Sequence, residues 1–153
     1  VFFEHLSDFD GLVGDSMVKL KLVAAFAYSG DQQIEVIEPR DNIDTIYNSY
    51  LKENPQGDLQ HVAVWVEDID SKLAELADAN MSHEVKQRYG DDHAYIDSVE
   101  YPEIMIQLMA HNPIIDELFD IIREASDNWD GKKDPIRKID WSTGRLVVQP
   151  YDG

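Results

Sequence analysis

The order of extended and helical patterns predicts an α+β fold with one complete βαβββ module and one that lacks its opening strand and helix. Three observations carry this prediction. From Leu59 onward the pattern runs strand, helix, strand, strand, strand. Before the intervening helix it runs strand, strand, strand. The length, 153 residues, suits one domain with a proper core and is too short for two comfortable ones.

Each element follows from local pattern. "VFFEHL" (1–6) reads as a short strand, and "SDFDGLVGDS" after it as a turn-rich loop. From Met17 to Tyr28, Val18, Leu20, Leu22, Ala24, Phe26 and Tyr28 share one parity, the mark of a strand. "QQIEVIEP" (32–39) is a further strand ended by Pro39. A helix over 41–54 is capped by Asp41 or Asn42, with Ile43, Ile46, Tyr47, Tyr50 and Leu51 on its inner stripe. The strand from Leu59 to about Glu67 leads into a helix capped by Asp68, with Ile69, Leu73, Leu76 and Ala77 facing inward. Extended runs follow at about 83–88, 93–99 and 104–110. Asn112-Pro113 then launches a helix to about Ser126, and the tail beyond it holds one strand candidate, "RLVVQ". The expected organisation is a domain over 1–112 (partial module 1–39, linker helix 41–54, module 58–112) followed by a helix and tail over 113–153.

Composition narrows the function classes. A hydrophobic content of 43% with 29% charged residues describes a folded chain rather than a disordered one. The formal charge of −18 is lopsided: 26 acidic and 8 basic residues precede Asp127, and 5 of each follow from there on. A field of that sign repels phosphate backbones, so no nucleic-acid partner is expected. No apolar run approaches the roughly 20 residues that cross a bilayer, so no membrane partner is expected. Cysteine is absent, which removes disulfides, thiolate metal sites and a cysteine nucleophile together. With no leader pattern at Val1, the expected address is cytoplasmic.

Strand parity sorts the side chains that carry chemistry. In 61–66 the valines share one face, and His61, Ala63 and Trp65 the other. In 32–39, Ile34 and Val36 oppose Gln33, Glu35 and Ile37. In 104–110, Ile104, Ile106 and Leu108 oppose Met105, Gln107 and Met109. Each strand thus pairs an aliphatic face, suited to packing under helices, with a mixed face suited to lining a pocket. On this pattern alone His61 is either a hydrogen-bonded strand residue or a ligand, and Trp65 and the methionines are either core, interface or pocket.

"QIEVIEP", a linker helix, "GDLQHVAVWVEDIDSKLAELADAN", "HAYIDS" and "IMIQLM" together resemble the vicinal oxygen chelate superfamily. The likeness is nearest to its glyoxalase-like and methylmalonyl-CoA epimerase-like branch, over roughly residues 1–112. The resemblance implies paired βαβββ modules forming a cup-shaped mixed sheet, with a divalent metal (Zn, Ni, Co, Mn or Fe) on the concave face. It implies Glu35, His61 and Gln107 as metal ligands, Glu4 and Glu35 as catalytic carboxylates, and Trp65, Tyr95 and Met105 as substrate-binding residues. Gln107 departs from the pattern, because the family places a glutamate there. An amide oxygen carries no charge and cannot take a proton as a carboxylate does.

What the resemblance implies is a metal-dependent isomerase, epimerase or lyase acting on a carbonyl or thioester through an enolate. The alternative is a metal-free binding protein of the bleomycin-resistance type, which the glutamine at 107 favours. An extradiol-type dioxygenase ranks last, since its iron site asks for two histidines and a carboxylate. The expected partners are a small-molecule substrate and a second copy of the chain. The wide apolar band of Ile114, Ile115, Leu118, Phe119, Ile121 and Ile122 predicts that 113–153 clasps the domain or that second copy.

Overall fold

A computed structural model describes residues 2–98, 104–140 and 146–151, and for residues 2–9 and 98 the backbone alone. The fold is α+β with mixed strand pairing, and among the described residues it has nine strands and three helices. The chain divides into two compact units. One draws on residues 1–8, 21–41 and 113–153, and the other on 9–20 and 42–112.

The second unit holds the complete module. Strand β4 (His61–Val66) leads through helix α2 (Ile69–Asp78) to β5 (His83–Tyr89), β6 (His93–Ser98) and β7 (Met105–Ala110). The sheet order is β5-β6-β7-β4: the last three strands form an antiparallel meander, and β7 returns parallel to β4. Helix α2 closes one face over Val66, Ala94, Ile96, Leu108 and Ala110, into which Ile69 inserts at 1% exposure. Leu73 and Leu76, four and seven residues on from Ile69, continue that contact as the helical repeat requires.

Asp68 caps α2 as the sequence predicts: the Ser71 amide donates to its carboxylate at 2.7 Å. The Ser71 hydroxyl and amide together hold the Asp68 carboxyl below the ordinary carboxylate range. A lowered native pKa contributes stability that is present above the ordinary value and is lost as pH falls through the native one. Urea midpoints of the wild type and Asp68→Ala should therefore differ at neutral pH and converge as acid protonates the cap.

Two local readings are corrected in this unit. The sequence suggests a loop over 7–16, but β1 runs unbroken from Phe2 to Val13 and β2 from Ser16 to Ser29. The turn shrinks to Gly14-Asp15, with Gly14 at φ 58°, where a side chain is disfavoured. The other glycine, Gly11, serves close packing rather than turning: a Cβ there would lie 2.6 Å from Leu20 Cδ1. Asp10, read as a loop residue, pairs with Lys19 at 3.0 Å across the hairpin. The end of β1 pairs with β5, Leu12 opposite Arg88 and Val13 opposite Gln87.

Helix α1 is shorter than expected, Ile46–Glu53, and its cap is Thr45. The Asn48 amide donates to Thr45 Oγ1 at 3.2 Å. Neither Asp41 nor Asn42 takes that role. Asp41 instead accepts the Lys21 backbone N–H at 2.7 Å, while Asp44 accepts from Ser49 Oγ and Lys52 Nζ, each at 2.8 Å.

The first unit contains β3 (Gln32–Pro39), antiparallel to β2 from Leu22↔Pro39 to Ser29↔Gln32. It also contains helix α3 (Pro113–Asp127) and the strands β8 (Ile136–Asp140) and β9 (Val147–Pro150). Strands β1, β2 and β3 stand in the order of the last three strands of a module. Helix α3 starts at Pro113 as read, and its band buries Ile122 completely, against Ile139, Leu118, Phe119 and Phe26. The Phe26 and Phe119 rings sit 5.7 Å apart, and the Arg123 guanidinium lies 4.2 Å over the Tyr28 ring. Strand β8, parallel to β1 at Phe2↔Ile136, is not evident from sequence because only Ile139 among its residues is buried.

The aliphatic faces do not all pack under helices as expected. Ile34 and Val36 are 44% and 55% exposed, and Val62 and Val64 are 43% and 41% exposed. Strands β3 and β4 end their runs of paired strands, and α2 covers β6 and β7 beyond the reach of Val62 and Val64.

Candidate functional site

Register assembles one face of the module. His61 pairs with Met105, Ala63 with Gln107 and Trp65 with Met109. Tyr95 lies opposite Gln107, and His93 opposite Met109. Gln87 and Tyr89 of β5 lie opposite Tyr95 and His93. Because side chains alternate along strands, these residues address the face away from α2. A bulge between Val85 and Gln87 inserts Lys86, whose ammonium reaches Asp97 at 3.1 Å on this same side.

The centre of the face is filled. Tyr47 of α1 donates its hydroxyl to Tyr95 Oη at 2.8 Å, and Tyr89 donates to Tyr47 Oη at 3.1 Å. The Gln87 amide donates to the Tyr89 hydroxyl, while its carbonyl accepts the Ile46 backbone N–H at 3.2 Å. The rings meet edge to face, Tyr47 with Tyr95 at 5.9 Å and Tyr89 with Tyr95 at 5.8 Å. Tyr95, Gln87, Tyr47 and Gln107 are all buried. Buried polar groups must be paired, and here each hydroxyl both holds α1 and satisfies another. Tyr95→Phe removes the acceptor of the Tyr47 hydroxyl; a loss of about 1–3 kcal/mol is expected, read from urea denaturation.

His61 sits at the edge of this cluster, its ring 5.3 Å from that of Tyr95 and at 85° to it. The Gln60 side-chain Oε1 lies 2.6 Å from His61 Nδ1, within hydrogen-bond reach of it. The amide nitrogen of Gln60 points to the Met105 sulfur at 3.7 Å.

Gln60 and Met105 also line a cavity of about 370 Å³ beneath α1. Its walls include Val13, Ile46, Tyr50 and Ile104, with Thr45 and Ser49 between them and Asp44, Glu53, Lys86 and Asp97 at the charged positions. Gln60 thus joins His61 to this cavity.

The expected site residues are distributed as follows. His61, Gln107, Tyr95 and Met105 come together on the face just described. Met105 lines the cavity, whereas Tyr95 belongs to the buried hydroxyl cluster. Trp65, at the other end of β4, stacks on His111 at 4.2 Å and 5° and is 45% exposed. Glu35 belongs to the other unit, half-buried on β3 opposite Phe26. Glu4 lies on β1 in register with Lys138, and its side chain lies outside the described residues. Sequence reasoning missed Tyr47, Gln60, Gln87, Tyr89 and Lys86. Tyr47 had shown itself only as an inner-stripe residue, and Gln60 only as the neighbour of His61.

A metal would find neutral donors here. The face offers the imidazoles of His61 and His93, amides and phenol hydroxyls. Among the described residues no three His, Asp or Glu side chains gather closely enough to hold a metal ion. Divalent ions of the kind expected are bound by sets that compensate their charge, so His61 and Gln107 would need a carboxylate, such as Glu35 of the expected set, beside them.

The family model described as the Glyoxalase/Bleomycin resistance protein/Dioxygenase superfamily matches residues 17–96, just over half of the chain. That span includes Glu35, His61 and Tyr95 and ends before Met105 and Gln107. No curated protein matches the chain.

Proposed function

The chain belongs to the glyoxalase/bleomycin resistance protein/dioxygenase superfamily, and from that premise we propose that it binds a small molecule at a site that works without a metal ion. The observation that carries this reading is the glutamine at position 107, a neutral amide where the resemblance places a glutamate. The amides of Gln107 and Gln60 carry hydrogen-bonding groups of both kinds, which suit an organic ligand better than a bare cation.

This reading supplies binding rather than bond-making chemistry. The cavity of about 370 Å³ falls in the range of small-molecule sites, about 300–1,000 Å³. His61 is the one imidazole beside the cavity wall, and its role is to orient Gln60 and through it a bound molecule.

Metal analysis tests the proposal directly. Protein purified without chelator, then offered Zn, Ni, Co, Mn or Fe, is expected to hold less than about a tenth of an equivalent. His61→Ala should leave that value unchanged. Close to one equivalent, lost in both His61→Ala and Glu35→Gln, would restore the metal-dependent isomerase, epimerase or lyase.

A further inference from the structure

We propose that the cavity beneath α1 selects an organic cation, an amine carried on an apolar body about the size of one or two rings; this rests on the small-molecule reading above. The volume, about 370 Å³ in a groove open to solvent, admits a body of that size. Val13, Ile46, Ile104 and Met105 supply the apolar wall, and Tyr50 adds an aromatic ring. The Tyr50 hydroxyl donates to the Leu59 carbonyl at 3.2 Å, which holds that ring in place. A ring so fixed can receive a cation on its face.

Charge decides the class of ligand. The lining carries three carboxylates, Asp44, Glu53 and Asp97, against one ammonium, Lys86. Lys86 is already committed, bonded to Glu84 and 3.1 Å from Asp97. Asp44 is paired in turn with Lys52 at 2.8 Å. Adding those two outer partners, Glu84 and Lys52, leaves the balance unchanged at two net negative charges. An anionic ligand would therefore meet repulsion with no uncommitted lining ammonium to receive it. A cation meets Glu53 and the remaining field of Asp44 and Asp97. Lys52 and Ser49 hold the Asp44 carboxyl below the ordinary range, so it stays ionised at neutral pH.

The experiment is an NMR titration of the full chain with three probes of similar size: 2-phenylethylammonium, 2-phenylethanol and 3-phenylpropanoate. The ammonium is expected to bind about threefold to tenfold more tightly than the alcohol, the scale set by partly exposed charge pairs. The carboxylate should bind least. Glu53→Gln should cut ammonium affinity about threefold and leave the alcohol unchanged. Ser49→Trp, at an exposed helix position that opens on the cavity, should abolish binding of all three while circular dichroism shows an intact fold.

Equal or tighter binding of 3-phenylpropanoate would overturn the cation class and leave the small-molecule reading standing. Binding that survives Ser49→Trp would overturn this cavity as its place. Binding of none of the three by folded wild-type protein would overturn the proposal, and the metal analysis then judges the broader reading separately.

Discussion

Replacing Ile122 by alanine is expected to lower the unfolding free energy by about 2–5 kcal/mol, the range for emptying a fully buried aliphatic site. Ile122 has no exposed surface and touches the core shared by α3, β2 and the tail strands. Small domains have only about 5–15 kcal/mol of net stability, so a single cavity here consumes much of it. Removing residues 113–153 goes further. It strips Leu118, Phe119, Ile122 and Ile139 from Phe26 and Tyr28, and it removes the β8 partner of β1. The truncated chain is expected to lose cooperative unfolding or to aggregate in size-exclusion chromatography. A monodisperse truncation product with an unchanged urea midpoint would contradict the packing described for α3.

Gly11→Val should be nearly as costly, about 1–3 kcal/mol or more, but for the opposite reason, overpacking. A Cβ at this position would stand 2.6 Å from Leu20 Cδ1 and 2.7 and 2.9 Å from the Tyr89 ring. Leu20 is 1% exposed and has nowhere to retreat. Tyr89 cannot swing aside without moving the hydroxyl it donates to Tyr47. The effect should therefore appear twice: as a lower urea midpoint and as changed near-ultraviolet signals from the tyrosine cluster. Gly11→Ala should show both changes at smaller size.

What the sequence made legible was periodic and local. Alternation in 61–66 and 105–110, the cap at Asp68 and the proline at 113 all sit within a few residues of the feature they specify. The order β4-α2-β5-β6-β7 could be read from them. Thr45 was harder, because Asp41 and Asn42 stand close by as cap candidates, and Asp41 is taken by the Lys21 backbone N–H only once the strands are placed. Gly11 misled because a glycine required for close packing looks in sequence like one required for a turn. The exposure of Ile34, Val36, Val62 and Val64 depends on which strand ends a sheet, and pairing partners are not written in a strand's own residues. The same holds for the hydroxyl cluster: Tyr47 and Tyr95 are 48 positions apart and meet only after the strands are registered. His61 was legible as a residue of the mixed face. Its tether, Gln60, was not, because adjacency in sequence says nothing about which way a side chain turns.

The uncovered valines and isoleucines of the two outer strands have a colloidal consequence. Strands β3 and β4 present apolar side chains beside outer backbone edges, the geometry that lets separate molecules add to one another's sheets. The opposing force is the formal charge of −18, which keeps molecules apart at neutral pH. That force resides in carboxylates, so acid or concentrated salt switches it off while the folded strands persist. The shelf life of this protein in solution is thus set less by how firmly it folds than by how well its surface repels its own kind.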